Sequence, residues 1–158
     1  DGALCTAQID IGFGDAVTPE PLVVDYPTIL DDVPAPRLRV YPRESVMSEK
    51  LESIVSLGMG NSRMKDYYDL RALIRDERID ERYLVDAIRA TFDRRRTRIP
   101  GTIPVGLSDE FANSPAKIAQ WKAFLDRNRL EGPALADVVT EIRTALDPFM
   151  RLARASAG

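Results

Sequence analysis

The chain has 158 residues, 44% apolar and 30% charged, and a net charge of −3. This length suits one globular domain, and no apolar run approaches the 18 residues of a membrane-spanning helix, so we expect no membrane association. The absence of histidine and the single Cys5 exclude disulfides within the chain, Ser-His-Asp triads, His-ligated metals and Cys-clustered zinc sites. With no signal-peptide pattern, this cysteine usage predicts a cytoplasmic protein whose metal ligands, if any, are carboxylates.

Charge is unevenly distributed along the chain. Residues 1–34 hold seven acidic and no basic residues, whereas residues 35–158 hold all 22 basic residues against 18 acids. The basic residues are 18 arginines and 4 lysines. Arginine binds phosphates and carboxylates through a planar fork, although most such charges belong to solvated, salt-bridged helix faces.

The first 43 residues favour short strands. Residues 4–13 alternate between apolar and polar side chains, and they would pair with short strands at 22–24 and 38–41. Five of the eleven prolines fall within 14–37, which predicts a connector with no long helix. Because a strand so near the first residue needs neighbours, we expect an upstream part of this sheet beyond the chain.

Helical periodicity begins at residue 44. The spacing predicts a first helix with Ser45 as its N-cap and Gly58 at its end, and a second helix over 63–76 capped by Ser62. Asp80 is expected to start the third helix.

Two more helices are predicted in the last third of the chain. Ser108 opens a short turn, Pro115 begins the fourth helix, and the fifth carries an apolar stripe from Leu135 to Phe149. Pro148 predicts a kink or an early end of that helix. The fold class is therefore α+β and mostly helical, with short strands over 1–43 followed by about five helices over 44–158.

Asp10 is the first candidate site residue. It lies between Ile9 and Ile11 in an apolar run, where aspartate is disfavoured. A strand holds a carboxylate with little freedom, which suits a magnesium ligand, but an outward-facing edge residue is equally compatible with the pattern. Asp15 follows in the segment DIGFGD, whose glycines would allow a ligand to approach the backbone or simply end the strand.

Two helical segments supply the remaining candidates. Lys50, preceded by Glu49, lies at the edge of the first apolar stripe, from which its amine would either snorkel to solvent or reach a triphosphate. On the second helix, Arg63, Asp66 and Asp69 recur every three residues and share one face with Lys65 nearby. That face is either an ion-pair ladder or a catalytic face, with Arg for phosphate and Asp for metal or for orienting the lysine.

A further basic group comprises Arg89, Arg94, Arg95, Arg96 and Arg98. These arginines would contact nucleic-acid phosphates, or they would simply complement the negative end of a helix dipole.

Taken in order, QIDIGFGDAVTPEP, YPTIL and YPRESVMSEKLESIVSLGMGNSRMKDYYDL resemble the AbiEii/AbiGii toxin family of nucleotidyltransferases. The resemblance covers residues 8–70, and its most specific part is E-K on one helix followed by R-x-K-D-x-x-D-L on the next. The resemblance implies a polymerase-β-like enzyme that transfers a nucleoside monophosphate from an NTP, with Mg²⁺, to an acceptor such as tRNA. It also implies a toxin–antitoxin or phage-defence setting, and hence a cognate antitoxin.

The resemblance assigns roles to individual residues. Asp10 matches a metal carboxylate, Lys50 matches the lysine that meets the triphosphate, and Asp66 matches the aspartate of the last motif. Arg63 and Lys65 are its phosphate-binding neighbours, and Glu49, Asp69 and Asp15 support the motifs. On this basis residues 1–43 are the last part of the nucleotidyltransferase sheet and residues 44–158 a helical domain.

One family motif is missing. A strand with two alternating acids, Asp-x-Asp-like, belongs upstream of Asp10, and this sequence contains none. We therefore expect the chain to be a truncated, C-terminal portion that is inactive alone, within an active parent. A non-catalytic helical module that binds protein or RNA is the alternative.

Overall fold

A computed structural model describes residues 14, 16–28, 32–75 and 80–155. In chain order its elements are β1 (Leu22–Asp25), β2 (Arg37–Val40), α1 (Arg43–Leu57), α2 (Met64–Ile74), α3 (Glu81–Arg94), α4 (Asp109–Asn113), α5 (Pro115–Asn128) and α6 (Leu135–Ala155). Short 3-10 turns occupy 58–60 and 105–107. The predicted α+β, mostly helical class is confirmed. The sixth helix arises because the turn predicted at Ser108 continues as α4.

The two described strands form an antiparallel ribbon, and both lie where the sequence predicts short strands. Leu22 lies opposite Val40 and Asp25 opposite Arg37. The predicted strand over 4–13, which includes Asp10, lies outside the described residues, and so does Asp15.

Two predicted helix caps are wrong. Helix α1 begins at Arg43, after the extended Pro42, so Ser45 lies inside its first turn. The Ser45 hydroxyl instead donates to the Thr18 carbonyl at 2.8 Å and accepts the Thr18 N–H at 2.9 Å. Helix α2 begins after Arg63 with no side-chain cap, so Ser62 does not cap it. In both helices, therefore, the predicted serine hydroxyl does not accept a backbone N–H of the first turn.

The predicted starts of α3 and α4 and the predicted end of α1 are found. Asp80 accepts the Arg82 N–H at the start of α3, and Ser108 accepts the Phe111 N–H at the start of α4. Gly58 ends α1 with a φ of 49°, in the left-handed region that glycine tolerates best. An early end at Pro148 is wrong, because α6 continues to Ala155 and keeps burying apolar residues, including Met150 and Ala153.

Helix α6 organises the core. It packs against α2, α3, α4 and α5, and its buried stripe is Leu135, Val138, Val139, Ile142, Leu146, Met150 and Ala153. Tyr67 of α2 stacks on Phe111 of α4 with ring centroids 5.3 Å apart. Arg71 and Arg75 both bond Glu141, which fastens α2 to α6 at the surface.

A buried polar seam joins α1 to α3. The hydroxyls of Ser48 and Thr91 lie 2.7 Å apart. Glu52 accepts from Arg95 Nη1 at 2.7 Å and from the Thr97 hydroxyl at 2.6 Å. Because buried polar groups cost free energy unless they are hydrogen-bonded, this seam fixes how α1 sits on α3. A different side of α1, which carries Lys50, contacts α2.

Candidate active site

A lysine held by two aspartates forms the centre of the candidate site. Lys50 Nζ of α1 lies 3.2 Å from Asp66 Oδ1 and 2.7 Å from Asp69 Oδ2, both on α2. The Lys50 side chain is 16% exposed and that of Asp66 only 3%. The spacing of Asp66 and Asp69 places both carboxylates on the α2 face that meets α1, as their i, i+3 relation predicts. The lysine is paired and does not snorkel to solvent.

Two further cations flank this centre at the start of α2. Arg63 Nε lies 2.8 Å from Asp66 Oδ2, and Lys65 Nζ pairs with Asp69. Their side chains are 59% and 71% exposed, so both cations reach solvent while Lys50 stays covered. We refer to Lys50, Arg63, Lys65, Asp66 and Asp69 as the lysine–aspartate cluster. It carries three positive and two negative charges.

The second carboxylate oxygen of Asp66 is buried beside Arg63. Its Oδ2 atom accepts no hydrogen bond in good geometry from the described residues, but Arg63 Nε lies 2.8 Å away. A buried carboxylate oxygen is costly to leave without a partner, so this ion pair compensates its charge. Arg63 therefore helps to fix the carboxylate that holds Lys50.

The electrostatics favour the ionised form of Asp69. Burial opposes ionisation of Asp69, but hydrogen bonds and charges from Lys50 and Lys65 outweigh it and hold the pKa of Asp69 below its usual value. The neighbouring Tyr67 has its pKa raised by burial and by the negative charge of Asp66. Tyr67 is thus a neutral donor, and it bonds the Gly106 carbonyl at 3.0 Å.

A pocket of about 400 Å³ opens beside the cluster, between the start of α2 and α5. The cluster contributes Arg63, Lys65 and Asp66 to its wall. Helix α5 adds an aromatic ring, amides and a cation, namely Phe124, Gln120, Asn128 and Arg127. Small-molecule pockets of proteins start at about 300 Å³, and this mixture of charge, amide and ring suits a phosphorylated ligand that bears a base.

Glu49 lies apart from the cluster. It accepts a short hydrogen bond from the Tyr41 hydroxyl, and its Oε2 lies 3.8 Å from Arg95 Nη2. Although adjacent to Lys50 in sequence, it faces β2 and the end of α3. Its place in the E-K motif is therefore structural in this arrangement.

The described residues do not fit a divalent metal by themselves. No group of three Asp, Glu or Cys side chains comes together in the described part of the chain. Asp66 and Asp69 are already paired with cations, which a metal would have to displace. The predicted ligand Asp10 lies outside the described residues.

Sequence reasoning missed two residues that shape the start of α2. Asn61 is fully buried, and its Oδ1 accepts the Arg63 N–H at 2.8 Å. The Asn61 carbonyl accepts from the buried Lys117 of α5 at 2.7 Å. The Asn61 turn follows a known local pattern, since asparagine often bonds the backbone two residues on. Lys117 lies 56 residues from Asn61 in the sequence, and no local pattern predicts their contact.

No helix among the described residues has the length and apolarity to cross a membrane. The family model described as "Nucleotidyl transferase AbiEii toxin, Type IV TA system" matches residues 1–148. Comparison with curated proteins and with solved structures gives no significant match.

Proposed function

The chain belongs to the AbiEii nucleotidyl transferase toxin family of type IV toxin–antitoxin systems, and we propose that it transfers a nucleoside monophosphate from an NTP to a nucleic-acid acceptor such as tRNA. One observation supports this most directly. Asp66, which together with Asp69 holds Lys50, lines a pocket of about 400 Å³ with the exposed cations Arg63 and Lys65. The reaction releases pyrophosphate, and a cognate antitoxin restrains it.

Lys50 is the proposed catalytic cation. Two carboxylates fix its amine in place, so no reorganisation is needed when negative charge develops on the triphosphate. A lysine acts on phosphates as a compact point charge. Asp66 and Asp69 are positioning residues in this arrangement, because both carboxylates hold the Lys50 amine.

Arg63 and Lys65 are the proposed phosphate-binding residues. Both side chains are exposed and lie at the start of α2, where backbone N–H groups and the helix dipole favour anions. The triphosphate of an NTP would bind these two cations in place of water. The base would then lie in the pocket against Phe124.

Mg²⁺ remains a prediction, with Asp10 as its predicted ligand. The two alternating acids of the family's first motif are expected upstream of this chain, so the activity is proposed for the parent protein that includes them. The chain alone is predicted to be inactive. A parent gene without that motif would favour the non-catalytic interaction module instead.

The test compares site variants of the parent protein in an RNA-labelling assay with Mg²⁺ and each of the four NTPs. Lys50→Ala is expected to lower transfer by at least about 100-fold, the scale on which one electrostatic group acts on a transition state. Lys65→Gln, at an exposed position, is expected to raise KM for the NTP. Lys122→Ala removes an exposed lysine of α5 outside the cluster and its pocket, and it is the matched control.

Folding is monitored by the melting temperature of each variant. If Lys50→Ala fails to fold, the transfer assay of Lys65→Gln decides, because the exposed Lys65 side chain can be replaced without disturbing the core. Transfer that is unchanged in both Lys50→Ala and Lys65→Gln would refute the proposed site. Absence of any labelled RNA with wild-type parent protein would refute the proposed activity.

A further inference from the structure

A second concave surface lies away from the cluster's pocket, where the end of α3 meets the end of α6. It is a groove of about 690 Å³, and three arginines line it: Arg89, Arg98 and Arg154. Its other lining residues include Phe92, Ile99 and a single acid, Asp93. We refer to it as the arginine groove.

The described residues compensate little of the charge of the arginine groove. Arg98 is exposed and bonds no other described residue, and Arg154 donates only to the Pro100 carbonyl at 3.3 Å. Arg89 bonds the Ala153 carbonyl at 3.2 Å and pairs weakly with Asp86 at 3.4 Å. By contrast, Arg95 is neutralised by Glu52 on the far side of the same helix end. The arginine groove therefore presents guanidinium groups that still have donors to offer.

A strained arginine marks the edge of this surface. Arg96 adopts a φ of 56° where α3 ends, and the Thr97 N–H closes the turn onto the Phe92 carbonyl. This position normally favours glycine, since a side chain is disfavoured at positive φ. An arginine there adopts a disfavoured backbone conformation and places an exposed cation beside the arginine groove.

We propose that the arginine groove binds the phosphate backbone of the RNA acceptor. Guanidinium forks match phosphate oxygens, and several of them along one groove suit a repeating anion better than a single carboxylate. The choice of RNA as partner rests on the proposed nucleotidyl transfer. Arg95 also ties this end of α3 to Glu52 of α1, the helix that carries Lys50.

The test measures binding of total tRNA to the full-length protein between 50 and 200 mM salt. The double variant Arg98→Gln and Arg154→Gln is expected to weaken binding by about tenfold at the higher salt and to reduce the salt slope by about 1.5. The matched control is Arg39→Gln with Arg129→Gln. It removes two exposed cations elsewhere that pair with no acid in the described part of the chain.

The control is expected to change affinity by less than about twofold, since distant surface charges are screened at this salt. Equal losses in both double variants, or no loss in the arginine-groove variant, would overturn the proposal. So would unchanged RNA binding together with lost binding of the purified antitoxin, because the groove would then serve a protein. If the double variant fails to fold, Arg98→Gln alone decides, since Arg98 bonds no described residue.

The same variants separate this proposal from the proposed function. In the transfer assay the arginine-groove variant is expected to raise KM for RNA and leave KM for the NTP unchanged. Lys50→Ala should lose transfer and keep its affinity for RNA. If no variant and no wild-type protein transfers label, but the groove variant still loses RNA, the proposed activity fails and the arginine groove stands.

Discussion

Replacing Gly106 with alanine tests whether close packing sets the distance between α1 and α2, which carry Lys50 and Asp66. A Cβ atom at Gly106 would lie 2.5 Å from the Ile54 carbonyl oxygen and 2.8 Å from Ile54 Cγ2. The first of these is backbone, and it also accepts the Gly58 N–H that ends α1. Relief therefore requires a shift of α1 or of the turn that holds Gly106.

The expected cost follows from this geometry. Overpacking of a core costs about 1–3 kcal/mol, and a strained bond from the Tyr67 hydroxyl to the Gly106 carbonyl adds about 1 kcal/mol. For a domain of this size each kcal/mol lowers the melting temperature by about 2–4 °C, so we expect a loss of about 5–15 °C. Differential scanning calorimetry measures it.

Gly60→Ala is the matched control for that prediction. A Cβ atom at Gly60 meets no heavy atom within 4 Å, so its melting temperature should stay within about 2 °C of wild type. A Gly106→Ala protein as stable as the Gly60→Ala protein would refute the packing argument. It would also mean that packing at Gly106 does not set the distance between α1 and α2, which carry Lys50 and Asp66.

The remaining predictions concern stability. Asp80→Ala removes the acceptor of the Arg82 N–H at the start of α3 and should lower the urea concentration at the unfolding midpoint. An unchanged midpoint would show that this cap does not stabilise the protein. The pKa values of Glu141, lowered by its bonds from Arg75 and Arg71, and of Asp69, where Lys50 and Lys65 outweigh burial, lie below their usual range. Their stabilisation is thus present above pH of about 5 and is lost as pH falls through the lowered values, so the melting temperature should fall below pH of about 4. Glu141→Gln with Asp69→Asn should flatten that fall, and an equally steep fall in this double variant would contradict the assignment.

Features set by neighbouring residues were predictable from the sequence. Asp80, Ser108 and Pro115 start their helices as expected, because capping depends on groups one to three residues away. The shared face of Asp66 and Asp69 follows from helical spacing alone. That this face meets Lys50 was one of the interpretations left open, in which aspartate orients the lysine, and helical spacing alone does not decide it.

Features set by distant residues were not predictable. The Ser45 hydroxyl is used by Thr18, 27 residues away, so it was unavailable for the capping that its position suggested. Lys117 reaches the Asn61 carbonyl across 56 residues. Long-range partners of this kind depend on how helices pack, which no local pattern encodes.

The proposed nucleotidyl transfer is tested most directly by asking which phosphorus of the NTP is transferred to RNA. The parent protein is incubated with RNA, Mg²⁺ and an NTP labelled either at the α or at the γ phosphorus. We expect RNA to gain the α label but not the γ label, with pyrophosphate released in equal amount and with neither event in Lys50→Ala. Transfer of the γ label to RNA, or α-label transfer that survives loss of Lys50, would contradict it.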